Sequence, residues 1–241
     1  MSKQNNEGIP SRRRFLQKTL SIIPLAVAGS SVVSLASPAA TPKSEGISAH
    51  YVPTFFNNDE WRFILAATDR LIPSDEYGPG AVGEGVPVYI DKQMELPYGY
   101  GHLWYMQPPF AEAAPELGYQ SQLAPRDTYR RGIQALNGHC RRQFQQVFAD
   151  LGQEQQDDLL RQLEGGKLTF DNVPGTLFFA QLLDNTKEGY LADPMHGGNQ
   201  TLASWKLIGF PGARADYQQT MDNPNKPYPL GPVSISGKRS V

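Results

Sequence analysis

The sequence predicts a mainly α fold: a small irregular helical domain with long Gly-, Pro- and aromatic-rich loops and little or no β-sheet. Three observations carry this. Apolar residues recur at three- and four-residue spacing in five separate segments. No stretch of useful length alternates apolar and polar residues. Gly and Pro together make 43 of the 241 residues and fall mainly between the periodic segments. A hydrophobic content of 39% suits one packed core, and the length suits one domain.

The first helix starts after Asn57, which can cap it, with Glu60 three residues on to close a capping box. Trp61, Ile64, Leu65, Thr68, Leu71 and Ile72 form its apolar face, and Pro73 ends it. Asp75 and Glu76 serve the turn that follows. Val86 to Met94 forms a short helix carrying Val88, Ile90 and Met94. Residues 97–125 are irregular and hold Tyr98, Tyr100, Trp104, Tyr105, Phe110 and Tyr119. That much apolar area either folds back on the helices or presents a binding surface. Pro125 opens a long helix with Tyr129, Ile133, Leu136, Cys140, Phe144, Val147, Phe148 and Leu151 on one face, running to about residue 151. Gly152 breaks it, and residues 153–164 follow with Leu159, Leu160 and Leu163, Asp157 and Asp158 facing solvent, and Gly165-Gly166 as the stop. Pro174 opens another helix, with Phe178, Phe179, Leu182 and Leu183 on one side. The tail, 221–241, is Pro-rich and extended, either pinned on a surface or disordered.

Ahead of this domain, residues 1–36 read as an export signal and 37–54 as a linker, leaving 55–220 for the helical domain. Residues 1–14 are basic, and 19–36 are weakly apolar and broken by Ser, Gly and Pro24. A permanent span needs about 20 mostly apolar residues. Ser11, Arg12, Arg13, Phe15 and Leu16 fit the twin-arginine pattern, the address of proteins exported already folded. Ser34-Leu35-Ala36 offers a cleavage site; an ordinary secretion signal or an uncleaved anchor are the alternatives. Each places residues 37–241 outside the cytoplasm. The first 36 residues hold five basic groups and one acid, so the rest carries 17 against 23. This mildly acidic body argues against nucleic-acid binding.

Export of a folded protein raises the question of a cofactor. Gly78, Gly80 and Gly83 match G-x-G-x-x-G, but a helix precedes them where a dinucleotide site needs a strand, and Pro79 and Pro87 interrupt. One cysteine excludes both C-x-x-C-H haem attachment and a cysteine-ligated cluster. His50, His102, His139 and His196 show no ligand spacing, and there is no G-x-S-x-G. Cys140, on the apolar stripe of its helix, reads as a buried small hydrophobe. Alternatively it is an intersubunit disulfide, since a lone exported cysteine can bridge only to another chain.

Residues 188–212 read EGYLADPMHGGNQTLASWKLIGFPG. The stretch resembles the small subunit (subunit 3, or gamma) of membrane-bound, flavin-dependent gluconate 2-dehydrogenases. The resemblance lies in a D-P-x-Y-G-G-N, a W-K and a G-[FY]-P-G pattern. These fall on Asp193, Pro194, Gly197, Gly198, Asn199, Trp205, Lys206, Gly209, Phe210, Pro211 and Gly212, with His196 where the family commonly has Tyr. ATDRLIPSDEYGPGAVGEGVPVYID resembles the family's first segment at Asp69, Ile72, Pro73, Asp75, Gly80, Ala81 and Gly85. Together the resemblance covers roughly residues 55–215.

The resemblance implies a complex in the periplasm, peripheral to the inner membrane. A large glucose-methanol-choline-type subunit would bind FAD, a multihaem cytochrome c subunit would carry electrons onward, and this chain would hold neither group. Its role would be non-catalytic: export of the flavoprotein through the twin-arginine translocase, and its maturation. Asp193, His196, Gly197, Gly198, Asn199, Trp205, Lys206, Phe210 and Pro211 become a candidate partner interface, weighed against an internal loop without partner contact. Two other readings stay open: an autonomous exported metal-dependent enzyme using His102, His139 or His196, and a transient assembly chaperone.

Overall fold

The structure, a computed structural model, describes residues 51–111, 114–215, 226 and 228–239. Arg12, Arg13, Phe15 and Leu16 of the export signal lie outside the described residues. Among the described residues six α-helices follow in order: α1 (Asn58–Leu71), α2 (Val86–Met94), α3 (Pro125–Phe144), α4 (Gln153–Glu164), α5 (Gly175–Leu191) and α6 (Ala203–Ile208). Among the described residues there is no sheet, only isolated bridges. The mainly α expectation holds.

Local chemistry explains the helix ends. The Asn57 side chain accepts from the Glu60 amide and the Glu60 carboxylate accepts from the Asn57 amide, each at 3.0 Å. This is the capping box read from the sequence; such caps contribute about 1 kcal/mol. Pro125 sits at the start of α3 as expected. The C-terminus of α3 is a correction: the helix stops at Phe144, not near 151, because Gln145 turns left-handed (φ 61°). Residues Phe148–Asp150 then form a separate 3-10 turn, and the Phe148 amide donates to the side-chain Oδ1 of the buried Asn137 at 3.0 Å. Phe148 is fully buried against Phe63, with ring centroids 4.8 Å apart. A continued helix would carry Phe148 onward on a straight axis. Stopping early lets the ring drop onto α1 and leaves Phe144 at the surface.

Helix α5 is the centre. It packs on each of the other five helices and buries Phe178, Phe179, Leu182, Asn185 and Gly189 around its circumference. Phe63, Tyr129, Phe148 and Phe178 form a continuous aromatic cluster in the core. Burying rings of this size stabilises by about 2–3 kcal/mol each before entropy. Polar anchors fix the packing. The Tyr129 hydroxyl donates to Asn185 Oδ1 at 3.1 Å, and Asn185 Nδ2 donates to the Tyr98 hydroxyl at 2.8 Å and to Glu188 at 2.9 Å. Burial pushes both tyrosine hydroxyls above their usual pKa. Asp91 is fully buried on α2 and accepts five hydrogen bonds: from the Tyr51 hydroxyl, the Thr54 amide and hydroxyl, and the Phe55 and Phe56 amides. It fastens the chain leading into α1.

Part of the aromatic connector folds back on the helices. Tyr98 meets Trp104 edge-on and Trp104 stacks on Tyr119, with centroids 5.5 and 4.5 Å apart, and Asn185 ties Tyr98 to α5. Leu103 and Tyr105 remain exposed. Asp157 corrects the solvent-facing expectation. It receives two hydrogen bonds from Arg70, at 2.8 and 3.1 Å, and ties α4 to α1. Asp75 serves its turn as expected, accepting from the Tyr77 amide.

Candidate functional site

The region of interest begins where α5 ends. The Asp193 carboxylate, almost wholly buried, does two jobs. Its Oδ1 accepts from the Met195 amide at 3.1 Å, opening a 3-10 turn over Pro194–His196, while Oδ2 accepts from the Ile235 amide at 2.8 Å. One side chain thus caps a turn and holds the C-terminal tail. Asn199 is fully buried. Its Nδ2 donates to the Ala192 carbonyl at 3.0 Å and its Oδ1 accepts from the Ser204 hydroxyl at 2.7 Å. It also takes a left-handed backbone (φ 45°), which asparagine tolerates better than most residues. Trp205 on α6 donates from its indole nitrogen to the Leu191 carbonyl at 2.8 Å and packs edge-on against Phe210.

Two glycines are required by close approach. A Cβ on Gly198 would lie 2.0 Å from the Gly189 carbonyl oxygen of α5. A Cβ on Gly212 would lie 2.1 Å from the Val233 carbonyl oxygen and 2.8 Å from the Trp205 ring, and Gly212 has φ 73°. Through Gly212 the tail returns: the Val233 amide donates to the Pro211 carbonyl at 3.2 Å, and the Ala213 amide donates to Val233 at 2.8 Å. Of the two fates open to the tail, residues 228–239 are pinned, as a turn rather than an extended strand.

The two sequence segments that carry the family resemblance meet here. Glu84, fully buried in the first segment, accepts from the Thr201 amide at 2.9 Å and from the Thr201 hydroxyl, while its own carbonyl accepts from the Gln200 amide at 3.2 Å. The Tyr190 hydroxyl donates to the Pro79 carbonyl at 3.0 Å. The glycine-rich connector is therefore a structural turn between α1 and α2, clamped by the second motif.

Of the candidate interface residues, Asp193, Gly197, Gly198, Asn199 and Trp205 are buried and engaged internally. His196, Lys206 and Phe210 are exposed, and Pro211 is half-buried. The motif is thus an internally braced loop that presents a few side chains outward. Sequence reasoning missed Glu84, Asp91 and Asn185. A lone polar residue carries no periodic signal that marks it as buried.

Cys140 is fully buried in the core, where the small-hydrophobe reading places it. Burial pushes the thiol up to about 11. His102 stacks on Tyr100 in the connector, His139 lies mid-α3 and His196 in the 3-10 turn. Burial, with Arg142 nearby, lowers the His139 pKa. Among the described residues, no group of three or more His, Cys, Asp or Glu could hold a metal ion. An open groove of about 1440 Å³ runs between the connector near Phe110 and the loop 166–177, and no motif residue lines it.

A six-helix α domain closed by an internally hydrogen-bonded C-terminal loop defines the class of this protein. The family model for gluconate 2-dehydrogenase subunit 3 matches residues 58–212, from the first turn of α1 to the glycine that seats the tail. The chain belongs to that family. No curated protein and no solved structure gives a match.

Proposed function

We propose that this chain is the non-catalytic small subunit of a periplasmic, membrane-associated, FAD-dependent gluconate 2-dehydrogenase-like complex. It serves twin-arginine export and the stability of the large flavoprotein. The observation that carries the reading is the family match over 58–212, which spans both braced motifs. Two features support it. The sequence bears Arg12-Arg13 with Phe15 and Leu16, an address suited to a partner that takes up FAD and folds before crossing. The acidic side chains of the motif region, Asp193 and Glu84, are spent on backbone amides and a hydroxyl, which suits a scaffold. FAD and haem c belong, on this reading, to a glucose-methanol-choline-type subunit and a multihaem cytochrome c subunit.

The test is fractionation. With Arg12 and Arg13 both changed to Lys, the flavoprotein is expected to stay in the cytoplasm, at least tenfold depleted from the periplasm and membrane. A flavoprotein that still reaches the periplasm contradicts the carrier role.

A further inference from the structure

Six large apolar side chains stand in solvent around the braced motif: Leu191, Met195, Leu207, Ile208, Phe210 and Ile235, each between 39% and 69% exposed. Singly, such residues need no explanation. Here the hydrogen bonds of the motif bring them together. One carboxylate, Asp193, holds the amides of both Met195 and Ile235. Trp205 reaches the carbonyl of Leu191 and lies against Phe210, and the Phe210 amide donates back to the Trp205 carbonyl at 2.9 Å. Leu207 and Ile208 are the two residues of α6 that precede this turn. The buried half of the motif therefore works as a bracket that holds an apolar cluster outward.

Charge sets this region apart. Residues 189–241 contain Lys206, Arg214, Lys226, Lys238 and Arg239 against three acids, the buried Asp193, Asp216 and Asp222. Residues 51–188 carry nineteen acids against eleven bases. Lys238 reaches Gln200 beside the 3-10 turn, Arg239 bridges to Val233, and Lys206 lies on α6 itself. Lys206 and Lys238 lie beside the apolar cluster, in a C-terminal segment that is net basic where residues 51–188 are net acidic.

The geometry points to this face as the docking surface for the large flavoprotein subunit, which would present an apolar patch edged with carboxylates. Its apolar centre and polar rim match the anatomy of protein interfaces. A symmetric dimer through the same face would bring the same lysines of both copies together. A six-residue helix gives fewer than two turns of apolar face, unlike the helices that lie in membrane surfaces. The inference rests on the accessory-subunit reading and adds where the partner binds and what chemistry it offers.

The test uses the full chain, tagged and isolated from detergent extracts of whole cells, with flavin absorbance per chain as the readout. Ile208→Glu with Ile235→Glu is expected to lower flavin recovery at least tenfold. Lys238→Glu with Arg239→Glu is expected to lower it severalfold, with wild-type binding weakening as salt rises. Leu103→Glu with Tyr105→Glu, on the connector, is expected to leave it unchanged. All six positions are exposed, and circular-dichroism melting of each isolated variant checks the fold. Wild-type chain that retains no flavoprotein defeats the accessory-subunit reading. Wild-type retention with unchanged retention in the Ile208/Ile235 variant overturns the docking face alone, as does equal loss in the connector variant. Two further outcomes also overturn it. One is Ile208- and Ile235-dependent sedimentation with phosphatidylglycerol vesicles while flavoprotein retention persists. The other is an Ile208- and Ile235-dependent self-association that persists without flavoprotein binding.

Discussion

Asp91, Asn199 and Cys140 show how much single residues settle in this fold. Asp91 satisfies three backbone amides and two hydroxyls from inside the core. Asp91→Ala strands those donors, and a loss of about 3–5 kcal/mol is expected, measured by urea unfolding, with faster proteolysis before α1. Asn199→Ala removes two buried hydrogen bonds and places Ala at positive φ; the expected cost is about 2–4 kcal/mol. Cys140 carries a pH dependence with a definite sign. Its thiol titrates at 9.0 when free and at about 11 in the fold. The unfolded chain therefore releases that proton first. The stabilising contribution is complete below pH 9 and is lost as pH rises toward 11. Tyr51, pushed up to about 12 mainly by burial and then by its bond to Asp91, adds to the same alkaline loss. Unfolding free energy measured from pH 8 to 11 is expected to fall, and less steeply in Cys140→Ala. Native Cys140 is expected to resist iodoacetamide until the protein unfolds.

Helices were legible where the pattern is local. The capping box at Asn57, the proline at the start of α3, and the glycines after α4 are read within a few residues. The end of α3 was not legible. The apolar stripe through Val147 and Phe148 continues at helical spacing, but a long-range contact with Phe63 decides the backbone there. The motif loop was half legible. Its glycines and Asn199 declared a special backbone, yet their partners Gly189, Ala192 and Val233 are fixed only by the fold. The exposed cluster was missed because Leu191, Met195 and Ile235 are brought together by hydrogen bonds, not by sequence spacing. The tail yields a prediction of its own. Deleting residues 226–241 removes the strap over Gly212 and the Ile235 amide from Asp193. Trp205, now screened from water, is expected to become wetter, with a red-shifted indole emission and a melting midpoint lower by several degrees.

For the whole molecule, the helical body of residues 51–188 is net acidic and the C-terminal segment net basic, with exposed apolar side chains. The central claim is a division of labour, in which this chain supplies structure and an export address while the redox groups sit in its partners. The most direct measurement is the visible spectrum of the co-purified complex, set beside that of the isolated chain after metal analysis of both. The account predicts flavin and haem bands in the complex, and neither bands nor stoichiometric metal in the isolated chain. A redox group retained one-to-one by the isolated chain would contradict it.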